Sequence, residues 1–237
     1  MSVPLLWWDA PGSYEVAFST RRGGVSAGAF ESLNLGLLTD DGPENVEENR
    51  RRLCEAVGAD SSRLAMNRQV HAATVNRAEA GVRGKDGDGL WTSEPGLPML
   101  KVTADCLPVA LVRRHGRPAL ALLHAGRLGL LEGILEAGVA ALRDRSGSLS
   151  AAVGPGIGPC CYEVGEEIAA AYRSRFGPAA VRGRNLDLWT VAEHVLRDAG
   201  VPSVERIDVC TACNPEFFSH RRDGGTTGRQ GVIGYVT

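Results

Sequence analysis

Leu97-Pro-Met-Leu-Lys-Val-Thr, Leu107-Pro-Val-Ala-Leu-Val and Pro118-Ala-Leu-Ala-Leu-Leu-His are three short apolar runs separated by polar or turn-forming residues. The last two are nearly continuous rather than alternating, the pattern of strands covered on both faces. After His124 the chain turns through Ala-Gly and enters a helix predicted over Gly129 to Arg143, with Leu130, Ile134, Val139 and Leu142 as its buried stripe. Upstream, Tyr14-Glu-Val-Ala-Phe-Ser-Thr alternates as a strand and ends at Arg21-Arg-Gly-Gly, and a further strand is predicted at Ala73-Thr-Val-Asn-Arg-Ala. Pro43 opens a helix with Asp41 as its expected cap, and Gly58 ends it. Downstream, helices are expected around Glu166 to Phe176 and Leu188 to Ala199, with strands at Leu149 to Val153, Arg206 to Cys210 and Val232 to Val236. The pattern is α+β: a mixed β-sheet core flanked by helices.

At 237 residues, 43% hydrophobic, the chain suits one domain with a substantial core and is short for two. The net charge is -2, and no block of like charge marks a nucleic-acid arm or a membrane patch. A small molecule is the expected partner. The segment Met1-Ser-Val-Pro-Leu-Leu-Trp-Trp-Asp lacks the features of a signal peptide, and no apolar stretch reaches the length of a membrane span. A cytoplasmic location is therefore expected. In that compartment the six cysteines are ligands, reactive thiols or small buried hydrophobes rather than disulfides.

His71 in Gln-Val-His, Cys106 in Thr-Ala-Asp-Cys and His124 in His-Ala-Gly each sit where an apolar run breaks off. Two imidazoles and a thiol could hold zinc through three protein ligands, leaving a fourth position for water or substrate, as in catalytic sites. Cys106 stands 35 positions after His71 and 18 before His124, so no local metal motif is present. What draws the three together is their place at strand ends, where such sheets present their sites. The duller reading is that Cys106 is a buried small hydrophobe and both histidines are hydrogen-bonded core residues.

Asn67-Arg-Gln-Val-His71, Val102-Thr-Ala-Asp-Cys-Leu-Pro-Val109, His124-Ala-Gly126, Gly154-Pro-Gly-Ile-Gly-Pro-Cys-Cys-Tyr-Glu-Val-Gly165 and Cys210-Thr-Ala-Cys213, with Phe218-Ser-His-Arg-Arg and Gly228-Arg-Gln, resemble the polyphenol oxidase or laccase-domain family. That family is also called the YfiH/LACC-type purine nucleoside phosphorylase family. Ser19-Thr-Arg-Arg-Gly-Gly-Val-Ser26, Ser32-Leu-Asn-Leu-Gly36 and Asn45 to Arg50 are similar to its start, so the resemblance covers almost the whole chain. It implies an α+β fold similar to that of the YfiH-like cysteine hydrolases and a metal on His71, Cys106 and His124. The activities it implies are phosphorolysis of adenosine, inosine and methylthioadenosine, and deamination of adenosine. A copper-dependent phenol oxidase label also attaches to the family. One departure concerns the family's usual His-Ala-Gly-Trp-Arg-Gly: here Arg127 and Leu128 follow Gly126, a change that bears on substrate preference and phosphate binding.

Zinc suits two imidazoles and one thiolate better than copper, and only His115, His194 and His220 remain for any further centre, too few for a multicopper oxidase. Copper could still occupy the site because it outcompetes zinc in raw affinity. Zinc activates water, which suits deamination, and Asp105 is the candidate acid or hydrogen-bond partner of a ligand. Phosphorolysis needs a phosphate clamp. Arg50 and Arg229 are the candidates, with Asn34 and Thr103 as polar contacts to sugar or base. The alternative function is a Cys-His hydrolase in which Cys106 is the nucleophile, acting on an amide such as a peptidoglycan precursor. Cys160-Cys161 and Cys210-x-x-Cys213 could form a redox dithiol or a second zinc site. A lone Cys-x-x-Cys without a partner pair at suitable spacing is read instead as packing or loop-fixing.

Overall fold

A computed structural model describes residues 3–143 and 148–237. Two sheets form its centre. The first has strands β1 (Leu5–Trp7), β2 (Tyr14–Ser19), β5 (Met99–Thr103) and β10 (Gln230–Val236) in the order β1-β2-β10-β5, all antiparallel. The second has β3 (Val75–Arg77), β4 (Gly89–Thr92), β6 (Leu107–Arg113), β7 (Leu120–Ala125), β8 (Leu149–Val153) and β9 (Ser203–Arg206) in the order β9-β8-β6-β7-β4-β3. Its outer pairs β8/β9 and β4/β3 are parallel and the inner pairs antiparallel.

The strand period of two distributes side chains between layers. On β6, Leu107, Val109 and Leu111 face a core shared with the helices α2 (Arg127–Glu132), α3 (Ile134–Leu142), α4 (Glu166–Phe176) and α5 (Leu188–Asp198), while Ala110 and Val112 face the other sheet. On β7, Ala121 and Leu123 join the helical side and Leu120 and Leu122 the inter-sheet side, where Phe18, Met99 and Val232 meet them. The opposite face of the first sheet, through Ala17, Leu100 and Ile233, packs on Leu53, Cys54 and Val57 at the end of α1 (Pro43–Ala56). The result is four layers, helix-sheet-sheet-helix, which is why β6 and β7 read as continuous apolar runs.

Several boundaries depart from expectation. The helix predicted from Gly129 to Arg143 is two helices, broken at Gly133, whose φ of 90° caps α2 in the left-handed region. Asp41 does not cap α1. Gly42 holds that position with Pro43 behind it, and the Asp41 carboxylate instead accepts bonds from Ser26, Asn34, Asn45 and the Gly42 amide. The strand expected at Arg206 to Cys210 lies earlier, at Ser203–Arg206, and the strands β1 and β4 were not anticipated. No helix among the described residues is long and apolar enough to cross a membrane.

Candidate metal centre and cavity

The chain passes from the first sheet to the second through Ala104, Asp105 and Cys106, the link between β5 and β6. Asp105 takes φ of 85° to make that turn, a costly conformation for a residue with a side chain. Its carboxylate holds the turn in place: Oδ1 accepts from the Thr211 hydroxyl at 2.6 Å and Oδ2 from the Arg221 amide at 2.7 Å. With both oxygens engaged, Asp105 positions Cys106.

His124 lies near the end of β7, opposite Pro108 of β6, on the side of the strand that faces the other sheet. His71 sits in the loop before β3 with φ of 62°. That loop is fastened to β5 by Gln69, whose side-chain amide donates to the Val102 carbonyl at 2.8 Å and accepts from its amide at 3.0 Å, in the manner of a neighbouring strand. One ligand atom each from His71, Cys106 and His124 come within 4.8 Å of one another. The two imidazoles meet edge to face with centroids 4.9 Å apart. Gly126 permits this closeness, because a Cβ there would stand 2.8 Å from Cys106 Sγ and 3.1 Å from His71 Cδ2.

Asp88, absent from the residues the sequence singled out, organises both histidines. It is fully buried. Its Oδ1 lies 2.7 Å from His124 Nδ1, and its Oδ2 accepts from the Val70 and Ala72 amides on either side of His71, at 3.0 and 2.9 Å. Burial opposes its charge, but the bonds from His124 and the two amides outweigh that and hold the carboxyl down at about 2. The bond at Nδ1 leaves His124 Nε2 for a metal, the arrangement that orients ligating imidazoles. Burial lowers the pKa of His124, against the pull of Asp88, so the neutral ligand form is favoured. Burial and the Asp105 charge push the Cys106 thiol up to about 12. A cation is then needed to make it a thiolate, so two imidazoles and this thiol fit zinc, which the thiolate binds through sulfur. The sequence signal for Asp88 is its place in Gly87-Asp88-Gly89 at the start of β4. Lys101 is also buried: its ammonium donates to Asn67 Oδ1 and, at 3.4 Å, to the Gly87 carbonyl, and burial lowers its pKa to about 7 against the attraction of Asp88.

The three donors lie in the wall of a cavity of about 670 Å³. Five arginines (Arg50, Arg68, Arg83, Arg221 and Arg229) line it against the single carboxylate of Asp105. Arg229 is close enough to Cys106 and Asp105 for both to raise its pKa against the lowering effect of burial. Its Nη1 donates to the Thr227 and Gly228 carbonyls, and its Nε and Nη2 make no bond among the described residues. Thr103 lines the cavity, and its buried hydroxyl has no hydrogen-bond partner among the described residues. Arg50 reaches the wall but is a brace, donating twice to the Leu35 carbonyl and once to Glu47. Asn34 does not reach the cavity. It is fully buried, its side chain spent on Gly36, Thr39, Asp41 and the Arg229 amide, so the expected substrate contact is a loop-organising residue. Arg127 begins α2 outside the wall.

An α+β fold with two imidazoles and a thiol gathered at the crossing between its sheets is of the YfiH type. It matches a Neisseria meningitidis protein, NMB0706, with a TM-score of 0.88 at 34% identity over 98% of both chains. It matches YlmD from Geobacillus stearothermophilus with a TM-score of 0.90 at 32% identity over 97% of this chain and 96% of that one. Residues 15–236 fit the family described as multi-copper polyphenol oxidoreductase laccase, and the chain belongs to that family. Among its relatives, the purine nucleoside phosphorylase PA4543 of Pseudomonas aeruginosa is 40% identical over 228 residues, 92% of each chain. The purine nucleoside phosphorylase YfiH of Escherichia coli is 37% identical over 94% of this chain and 93% of its own.

Proposed function

We propose that this protein is a zinc-dependent purine nucleoside enzyme that cleaves adenosine, inosine and methylthioadenosine with phosphate and deaminates adenosine. The observation that carries the reading is the His71, Cys106 and His124 cluster set into an arginine-lined cavity of about 670 Å³, a volume in the range of small-ligand sites. The names borne by the relatives support the substrate class.

His71, Cys106 and His124 would hold the metal, and zinc there supplies Lewis acidity to a substrate oxygen or to water. Arg229 is the proposed phosphate clamp, since its Nε and Nη2 carry an unspent planar fork beside Cys106. Thr103, in the cavity wall, is the proposed polar contact to the sugar or base. Leu37, Leu38, Met66, Ile157 and Tyr162 offer the purine an apolar wall. Asp105 is assigned a positioning role, because both its oxygens already accept bonds.

The hydrolase alternative would use Cys106 as a nucleophile, and the approach of three donor atoms to within 4.8 Å of one another supports the ligand reading instead. A multicopper oxidase needs more ligands than this cluster offers. Of the other histidines, His194 pairs with Asp198 on α5 and none joins a second ligand group among the described residues. The decisive experiment incubates zinc-loaded protein with adenosine, with and without phosphate, and separates adenine, inosine and hypoxanthine. Adenine that appears only with phosphate, inosine in either case, and neither from Cys106→Ala is the expected result. Wild-type protein that forms no product overturns the reading.

A further inference from the structure

Away from the cavity the fold assembles a second group of ligand side chains. Cys160 and Cys161 end one turn, closed by the Cys161 and Tyr162 amides on the Gly158 carbonyl at 3.0 Å each. Cys210 and Cys213 bound another, closed by the Asn214 amide on the Cys210 carbonyl at 3.0 Å. A β-bridge between Gly156 and Cys210 sets the turns side by side, and the four sulfurs come within 4.8 Å of one another. The sequence suggested packing or loop-fixing because only one Cys-x-x-Cys is present. The topology supplies the missing pair.

The sulfur separations have a chemical meaning. Cys213 Sγ is 3.2 Å from Cys161 Sγ and 3.5 Å from Cys160 Sγ. A disulfide bond is about 2.05 Å. Sulfurs around a tetrahedral zinc, bonded at about 2.3 Å, stand about 3.8 Å apart. The Gly158 amide also donates to Cys210 Sγ at 3.2 Å, a contact that favours negative charge on that sulfur. Cys160 and Cys213 are exposed, so an ion can enter from solvent.

We propose that Cys160, Cys161, Cys210 and Cys213 form a second, structural zinc site that fastens the wall of the cavity. Four protein ligands close the coordination sphere and leave no position for chemistry. The ion joins the turn that carries Ile157 and Tyr162, both in the cavity wall, to the turn whose Thr211 hydroxyl holds Asp105 beside Cys106.

Metal analysis of the full chain purified under reducing conditions and reloaded with zinc tests this independently of the first site. Wild type is expected to hold about two equivalents per chain, Cys106→Ser about one and Cys213→Ser about one. Cobalt-loaded Cys106→Ser should show the intense sulfur-to-metal charge-transfer absorption of thiolate ligation, which Cys160→Ser and Cys213→Ser introduced on that background abolish. Circular dichroism of each variant establishes that it is folded, and a folded Cys213→Ser chain should melt at a lower temperature than wild type. The proposal is overturned if Cys106→Ser retains no zinc, or if mass spectrometry of the zinc-reloaded chain finds these cysteines joined in disulfides. If the first-site reading alone fails, wild type and Cys106→Ser each hold about one equivalent, lost in Cys213→Ser.

Discussion

Asp88 ties the loop of His71 and the ring of His124 to one carboxylate, which makes it the residue whose loss should be felt at both. Asp88→Asn is expected to weaken zinc binding at the first site by about 10- to 100-fold, read by competition with a chromophoric chelator. Unchanged affinity would remove Asp88 from the account. The same residue gives the fold a pH dependence with a definite sign. Its folded pKa of about 2 lies below the ordinary carboxylate value, so its contribution is fully present above about pH 4 and is lost as the pH falls toward about 2. The amount is about 2 kcal/mol. Urea unfolding across that window should fall more steeply for wild type than for Asp88→Asn, and equal slopes would contradict the assignment. Gly126 makes a sharper test of crowding. Its φ of -82° suits alanine, so Gly126→Ala should fold yet lose metal through the clash with Cys106 and His71, as metal content would record.

At the scale of elements, the apolar runs and caps that announce a strand or helix are local, and the reading succeeds where local signals act alone. The helix from Glu166 to Phe176 and the strand from Leu149 to Val153 fall where the sequence puts them. The helix break at Gly133 was hidden because its flanks carry one unbroken apolar period. Its φ of 90° makes Gly133→Ala costly by about 1–2 kcal/mol although the added methyl has room, and thermal unfolding should show the loss. An unchanged melting temperature would mean that the helices can join. His71, Cys106 and His124 were legible because each interrupts an apolar run. Asp88 and Lys101 were not, because an aspartate between glycines and a lysine within a strand carry no mark of the partners that lie across the fold. The gathering of Cys160, Cys161, Cys210 and Cys213 was hidden for the same reason: it is set by a bridge between turns, which spacing does not encode.

At the scale of the molecule, the inter-sheet core is the common support of both halves of the cavity. Leu122 is fully buried there. Leu122→Ala should cost about 2–5 kcal/mol in chemical denaturation while leaving zinc stoichiometry at the first site unchanged. Loss of metal from the folded variant would show that the sheets are less independent of the site than the layered packing implies. The cavity itself draws Thr103 and Arg229 from the first sheet or its margin and His124 from the second, with Cys106 on the link between them. Any occupant that touches both groups acts as a rivet through two leaves. Its affinity is then also a resistance to their parting, and the protein should grow harder to unfold in proportion to the logarithm of the ligand supplied.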